Sequence, residues 1–493
     1  MTNSAINGIS FSDFVLKDRR NRMYGGIALL INIVTFTLFK EFLYPFPNFC
    51  PSSYSFIGAA STNAASNLWP IGYSKFLWLF HQVTHSDTAL VAFQFFFLTA
   101  VLLYFFCTVH YFYRFGKESF NLLFSFLFFD PLFLYLANYI VSDALFLGCS
   151  LWWFTQLIWI LHRPKPYYIV THALLLFVAF TISYTAAYYL IVSCLTFAFS
   201  PQKPGWKISG MLLGPVLIVL FVMHTLNANE QQTGHRQFSA FSGWRQADNA
   251  LFMYPHVIVD SSQLPEKYEA LDRMVRKYFQ HADNNALSVG PADGFFYIVR
   301  PNTPLLYYLS LKEDLDHPNE EFKKVAAASP LFSDYARYLV DGRRGAYVQY
   351  FLLPNLGVYW WPTMDKLVTY NIRKDTVNEI VRSWFDYPYG APAKPGSKYL
   401  EVPLLSPFPA FFLGINICFI LGLAWFLWFR NGIQVNPYFL YGLGLSTFFL
   451  FLNAGFSIWL APIVFESQVF PMIVCFSFVL LLYDYVEKKY KRV

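Results

Sequence analysis

Five carboxylates stand apart from the other acids of the chain because they lie at or near the predicted outer ends of long apolar runs. An acid in or beside a membrane is costly to keep, so each one is a candidate for function. Their positions point to chemistry or binding at the outer surface of a lipid bilayer. They are Glu41, Asp87, Asp130, Asp143 and Glu466.

The composition is that of an integral membrane protein. The 493-residue chain is 56% hydrophobic and 21% aromatic, and only 13% of its residues are charged, whereas soluble proteins carry about 25%. Residues 227–404 hold 39 of the 66 charged side chains. We therefore expect an N-terminal transmembrane module at 1–226, an aqueous domain at 227–404 and C-terminal transmembrane helices at 405–493.

Basic residues cluster in alternate short loops between the apolar runs, which is the positive-inside pattern. The excess of basic residues, which gives the net charge of +6, therefore lies in these loops and predicts an orientation in the membrane. No nucleic-acid partner is expected. Both termini are predicted to be cytoplasmic and residues 227–404 to lie outside. That segment has no cysteine and no N-glycosylation sequon, and the polar first 25 residues do not form a signal peptide. A bacterial cytoplasmic membrane is favoured.

The apolar runs predict about ten transmembrane helices, since each span needs roughly 20 apolar residues. The run from Tyr168 to Phe199 lies between basic loops at both ends, so we expect a tight hairpin with its tip at Ser183–Thr185. The aromatic stretch Phe76–Phe80 is predicted to lie along the membrane interface. The expected fold class is an all-α polytopic membrane protein with a mixed helix-and-loop domain inserted late in the chain.

Three short motifs carry a family resemblance. Residues 50–54 read Cys-Pro-Ser-Ser-Tyr, residues 69–73 read Trp-Pro-Ile-Gly-Tyr, and Ser142-Asp143 precedes an apolar pair. Here the chain resembles the GT-C superfamily of membrane glycosyltransferases, which use polyprenyl-phosphate-linked sugars. The resemblance covers the architecture of the whole chain, and it implies a GT-C-like fold with two interfacial outer loops.

The resemblance implies transfer of a sugar from a polyprenyl-phosphate carrier to an acceptor on the outer face of the membrane. A carboxylate acts as the base on the acceptor hydroxyl, and basic side chains neutralise the leaving phosphate. The expected partners are membrane lipid, the lipid-linked sugar, and an envelope protein or glycan as acceptor. No metal-ligating residue is predicted, and a divalent metal stays open. The catalytic candidates are Asp143, Asp130 and Glu41, and the substrate-binding candidates are Ser52, Ser53, Tyr54, Tyr73, Arg236, Arg245 and Glu466.

Three positions depart from the family pattern in the same direction. Serines 52 and 53 occupy the place of the first-loop acid, Ser183 stands where an arginine is common, and Gln468 stands where a phosphate-binding arginine is expected. The alternative hypothesis is therefore a degenerate GT-C-fold subunit that binds lipid or a partner protein without transfer. A transporter would show inverted repeats or broken helices in matching halves, and the sequence has neither.

Each acid also has a structural interpretation. Asp143 and Asp87 could serve as N-caps of the helices that follow them. Asp130 could make a structural polar contact, Glu41 could pair with Lys40, and Glu466 could pair with the inserted domain. Histidines within the apolar helices are interpreted as packed side chains.

Overall fold

The computed structural model describes residues 8–260, 262, 264–282, 287–310, 318–364, 370–371, 374–388, 404–429 and 435–490. The N-terminal region is helical, and a π-helical turn, Phe39–Leu43, extends its second helix. Its α-helices are α1 (Phe11–Leu16), α2 (Arg19–Leu38), α3 (Pro51–Ser61), α4 (Ile71–His81), α5 (Asp87–Tyr113), α6 (Lys117–Phe128), α7 (Leu132–Ala137), α8 (Asp143–His162), α9 (Tyr167–Ile182), α10 (Tyr189–Phe199) and α11 (Pro204–Thr233).

The inserted region and the C-terminal region are also helical, and the described residues contain no strand beyond isolated bridges. The insert holds α12 (Phe241–Leu251), α13 (Glu266–His281), α14 (Phe296–Val299), α15 (Pro304–Ser310), α16 (Pro318–Asp341), α17 (Arg344–Tyr347), α18 (Leu353–Trp360) and α19 (Glu379–Trp384). The C-terminal region holds α20 (Phe408–Phe429), α21 (Pro437–Leu460) and α22 (Val469–Tyr490).

Eight helical segments of the described chain are long and apolar enough to cross a membrane, by length and composition. The protein is therefore a polytopic helical membrane protein. Two shorter apolar helices, Tyr167–Ile182 and Tyr184–Phe199, form the predicted hairpin, so the expected number of about ten spans depends on both of them. The eight segments are Arg19–Leu43, Asp87–Tyr113, Lys117–Ala137, Asp143–His162, Pro204–Thr233, Phe408–Phe429, Pro437–Leu460 and Phe465–Lys488.

Local sequence explains where several of these helices begin and break. The Asp18 carboxylate caps α2 by accepting from the Arg20 amide at 2.9 Å, as an N-cap acid does. Pro131 interrupts the third span because it lacks an amide hydrogen, and α6 gives way to α7 at this point. Ser183, in extended backbone, separates α9 from the 3-10 turn Tyr184–Tyr188.

The inserted domain has a hydrophobic core of its own, which is separate from the core of the membrane helices and runs from Ala240 to Phe351. Its centre is the crossing of α12 over α16. Gly243 allows this close approach, since a Cβ atom there would lie 1.9 Å from the Ser329 carbonyl oxygen. The Trp244 indole, beside it, donates to the Val325 carbonyl at 3.0 Å.

The segment after this domain returns to the membrane helices. We call residues 370–371 and 374–388 the strap. The amide of Asn371 donates to the side chain of Asn48 at 2.7 Å, and Trp384 stacks on His81 with ring centroids 3.8 Å apart. The buried apolar side chains of the strap join the core of the membrane helices. The predicted domain end at residue 404 follows residues 389–403, which lie outside the described part.

The long loop before α5 folds into α3 and α4 and packs beneath the inserted domain. Ser66 donates to Gln232 near the end of α11 at 2.6 Å, and the ring of Trp69 lies 4.8 Å from that of Phe241. α4 contains the stretch Phe76–Phe80 that was predicted to form an interfacial helix. The loop thus contacts both the end of α11 and the start of the inserted domain.

Candidate functional site

The Cys50–Tyr54 motif forms the first turn of α3. Ser53 is fully buried, and its hydroxyl accepts from the Cys50 amide at 3.0 Å, so it caps the helix and is not free for a substrate. The Cys50 thiol lies 3.1 Å from the hydroxyl of Ser52. Ser52 and Tyr54 are half-buried, which leaves these two as the accessible members of the predicted set.

Tyr73 of α4 connects this turn to the membrane helices. Its phenol is fully buried and donates to the Gln94 side chain at 2.8 Å. Gln94 in turn donates to the Ala137 carbonyl at 2.8 Å. Burial raises the pKa of Tyr73 well above its usual range, and the charges of Asp143 and Cys50 raise it further. Tyr73 is therefore a neutral hydrogen-bond donor that is held in place.

Asp143 lies at the start of α8, close enough to Tyr73 for its charge to act on the phenol. The predicted N-cap role is wrong, because Ser142 is the N-cap and Asp143 is the first helical residue. Its half-buried carboxylate is favoured there by the dipole of the helix N-terminus. The predicted approach of Asp143 to Ser52–Tyr54 stays a prediction, whereas its electrostatic effect on Tyr73 places the two side chains in the same region.

Tyr54 belongs to the same group of side chains. Burial raises its pKa, and the nearby Cys50 thiol adds to the shift. The thiol also contributes to the environment of Tyr73. Cys50, Tyr54, Tyr73 and Asp143 thus share one neighbourhood, which combines a carboxylate, a thiol and two neutral phenols.

The other two catalytic candidates lie elsewhere. Glu41 is exposed and makes no ion pair with Lys40 among the described residues, so that expected pair is wrong. Lys40 is instead buried and donates to the Asn138 side chain at 3.4 Å. Asp130 accepts from the Leu132 amide at 2.9 Å, which matches its structural interpretation as a polar contact.

Asp87 is bound by the strap. Its predicted N-cap role is wrong, because Ser86 caps α5 by accepting from the Ala89 amide at 3.2 Å. The Asp87 carboxylate accepts a short hydrogen bond from the hydroxyl of Tyr387. This acid therefore fastens the strap to the start of α5.

The two candidate arginines differ in their surroundings. Arg236 pairs with Glu230 at 3.6 Å, and both side chains are about half exposed, so this is an ordinary surface pair. Arg245 of α12 is half-buried, near Tyr347, and burial lowers its pKa. No carboxylate oxygen of the described residues lies within 4.0 Å of it. Of the two, Arg245 is better suited to bind an anion.

The region of Glu466 is polar and buried. Glu466 lies in the 3-10 turn Phe465–Gln468 and is 9% exposed. Gln468 accepts from Asn453 at 3.0 Å, and Asn453 accepts from the Tyr188 hydroxyl at 2.9 Å. Gln468, at the expected arginine position, is thus part of an uncharged network that reaches the hairpin tip.

Sequence reasoning missed several buried polar side chains of this region. The Asn48 amide donates to the Asn138 carbonyl at 2.8 Å, and Lys40 donates to the Asn138 side chain. Gln94 donates to the carbonyls of Ala137 and Tyr139, on either side of Asn138. In the sequence, these residues could have been recognised as amide and amine side chains at the ends of otherwise apolar helices. The described residues contain no group of three or more histidine, cysteine or acidic side chains that could hold a metal ion.

Comparison with known proteins gives no assignment. No family model, curated protein or solved structure matches the chain. Function must therefore be argued from the arrangement of its own residues.

Proposed function

We propose that this chain is a GT-C-type membrane glycosyltransferase. It would move a sugar from a polyprenyl-phosphate carrier to an acceptor on the outer face of a bacterial cytoplasmic membrane. The single observation that carries this proposal is that Asp143 lies close enough to Tyr73 for its charge to act on the phenol. Asp143 would thereby supply a carboxylate near the outer loop, whose first motif has serines in place of the acid.

In the proposed reaction, Asp143 accepts the proton of an acceptor hydroxyl, directly or through one water. The acceptor oxygen bonds to the anomeric carbon while the bond from that carbon to the phosphate oxygen breaks. The hydroxyl of Tyr73 already donates its proton to Gln94, and the side chain is fully buried. Tyr73 would therefore position α4 beside Asp143 and would not bind the sugar itself. The leaving phosphate carries negative charge, and Arg245 is the cation for it among the residues predicted from sequence.

The topology belongs to the proposal as well. Both termini would be cytoplasmic, and the inserted domain would lie outside, above the loop that holds α3 and α4. The acceptor would be an envelope protein or glycan, which the domain would position over the lipid-linked sugar.

A second candidate is a degenerate subunit of the same fold that binds lipid or a partner without transfer. The observation that favours it is the engagement of Gln468 with Asn453 at 3.0 Å. An uncharged network there gives no positive charge to a phosphate. Ser53, which occupies the place of the missing acid together with Ser52, is used as a helix cap.

Purified protein in lipid nanodiscs, supplied with a panel of polyprenyl-phosphate sugars, separates these two functions. The transferase predicts release of free polyprenyl phosphate from at least one donor in the presence of acceptor, measured by mass spectrometry. Saturable donor binding without any release supports the degenerate subunit. Neither binding nor release with any donor contradicts both.

A further inference from the structure

Lys40 is a buried cation at the end of a membrane span. Its side chain belongs to the π-helical turn Phe39–Leu43 and is only 7% exposed. A lysine near a helix end normally extends its amine to water, and this one does not. A buried charge is costly unless it is paired, so the ammonium of Lys40 needs hydrogen-bond acceptors or an anion near it.

The partners of Lys40 leave its charge incompletely satisfied. Its ammonium has three donors, and it makes one long hydrogen bond, 3.4 Å, to the Asn138 side chain. No carboxylate oxygen of the described residues lies within 4.0 Å of it. Asp87 acts on it from farther away and is itself bound by Tyr387.

An apolar groove lies directly beside this turn. Its volume is about 220 Å³, which is smaller than a complete ligand pocket of about 300–1,000 Å³. Leu38 and Phe129 at the groove are 49% and 55% exposed, so it opens sideways from the bundle. Its lining includes Asn32, Thr35, Leu38, Leu43, Asp130 and Tyr135.

Residues close in sequence to Lys40, and to its partner Asn138, line two sides of the groove. Phe39 and Leu43 line the groove and flank Lys40 in the same turn. On the other wall, Tyr135 lines the groove and Asn138 follows one turn later. Asp130 precedes α7 and Asn138 follows it, and the six residues of that helix span about 9 Å at 1.5 Å per residue. The cationic end is therefore separated from the acid.

The cationic end also adjoins the candidate site. Asn138, the partner of Lys40, accepts a backbone hydrogen bond of 2.8 Å from the Asn48 amide. Asn48 is two residues before Cys50, and Asn138 is five residues before Asp143. A ligand with its chain in the groove and its anionic group at Lys40 would present its next group to the site.

We propose that this groove holds part of the isoprenoid chain of a polyprenyl phosphate and that Lys40 binds its phosphate. The inference rests on the proposed function and names the residue that meets the lipid carrier. Lys40, at the end of a membrane helix, would bind the lipid phosphate instead of Arg245, which lies on the inserted domain.

The test uses a polyprenyl monophosphate with a photoactivatable group on its chain and no sugar, so that binding is measured apart from transfer. Wild-type protein in nanodiscs should cross-link on α2 and α7. Lys40→Gln should raise the probe concentration that gives half-maximal cross-linking by at least about tenfold, as expected for loss of a charge-assisted contact. Leu38→Trp, which narrows the groove, should reduce cross-linking there.

Matched controls keep the test specific. Lys75→Gln removes a lysine of α4 that is already bonded to Asn63 at 2.7 Å, and Leu30→Trp alters an exposed position of α2. Both should bind like wild type. Lys40→Met keeps the chain length without the charge, so it should also lose binding while its melting temperature stays equal or rises.

Three results would overturn the proposal. The first is wild-type binding by both Lys40→Gln and Lys40→Met. The second is loss of binding in Arg245→Gln while Lys40→Gln binds normally. The third is equal displacement of the probe by phosphatidylglycerol, which would make the groove a site for bulk lipid. Cross-linking that requires Lys40, in a protein that transfers no sugar, would contradict the transferase and leave this inference standing.

Discussion

Burial affects the protonation of single side chains in this protein. Tyr73 is held neutral near Asp143, whereas Asp248 of α12 is an acid with no exposed surface at all. One Asp248 oxygen accepts from the Tyr297 amide at 2.8 Å, and the other has no hydrogen-bond partner in the described structure. Burial raises the pKa of Asp248 well above its ordinary value of 3.8.

The raised pKa of Asp248 gives a pH-dependent prediction. Between pH 3.8 and the folded-state pKa, the folded protein holds a proton that the unfolded chain has released. The contribution of this group to stability is therefore present at low pH and is lost as the pH rises. Asp248→Asn keeps an acceptor for Tyr297 without a charge, so its melting temperature should exceed that of wild type by a few degrees at pH 8.

Thermal unfolding followed by intrinsic fluorescence, from pH 4 to pH 8, measures this difference. It should shrink as the pH falls toward 4, because near pH 3.8 the unfolded carboxyl also takes up its proton. A variant that is less stable than wild type at pH 8 would show that the carboxylate is ionised and stabilised in the fold.

Single residues also show which parts of the site could be predicted. Asp143 was found because an acid at the end of an apolar run is rare, and its neighbour Tyr73 was found from a short motif. Lys40 and Gln94 were missed because their importance comes from contacts with residues 43 to 98 positions away. Composition alone does not reveal whether such a side chain turns inward.

At the scale of elements, the strap is the part that closes over the first loop. Trp384 is 7% exposed and stacks on His81 at 3.8 Å. Asp386 pairs with His85 at 2.6 Å, but the two side chains are 69% and 53% exposed. Buried aromatic contact should therefore hold the strap more strongly than this surface ion pair.

Two variants compare these contributions by hydrogen–deuterium exchange of residues 374–388. Trp384→Ala removes a buried aromatic side chain, so exchange there should accelerate by at least about tenfold. Asp386→Asn removes a surface pair worth about 0–1 kcal/mol, so the change should be less than about fivefold. The reverse order would mean that the ion pair holds the strap.

The apolar runs predicted the long helices, and the basic loops on both sides of one run predicted the hairpin of α9 and α10. These patterns could not predict the strap, whose docking depends on Asn48 and Asp87, about 300 residues earlier in the chain. They also could not distinguish Ser142 from Asp143 as the N-cap, since both residue types cap helices well.

At the scale of the whole molecule, the proposed orientation follows from the alternation of basic loops. Ser288 is an exposed residue of the inserted domain, and the chain has no native cysteine between residues 227 and 404. In whole cells, Ser288→Cys should therefore react with a membrane-impermeant maleimide.

The labelling is scored by mass shift before and after permeabilisation. A cysteine in place of Ser12, near the N-terminus, is the matched control and should react only after permeabilisation. Reaction of Ser288→Cys only in permeabilised cells would place the domain inside and would contradict the proposed site of transfer.

The central claim is that Asp143 acts as the base that the first loop lacks. The most direct measurement is the transfer rate of Asp143→Asn, with Asp87→Asn as a matched change at the start of another span. We expect the rate of Asp143→Asn to fall by about 10²–10⁴-fold, as for loss of a general base. Its stability should fall by no more than about 1 kcal/mol, because Asn keeps the size and an acceptor oxygen of the side chain and removes its charge at the helix N-terminus, while Asp87→Asn should keep most of its activity. Full transfer by Asp143→Asn would contradict the claim.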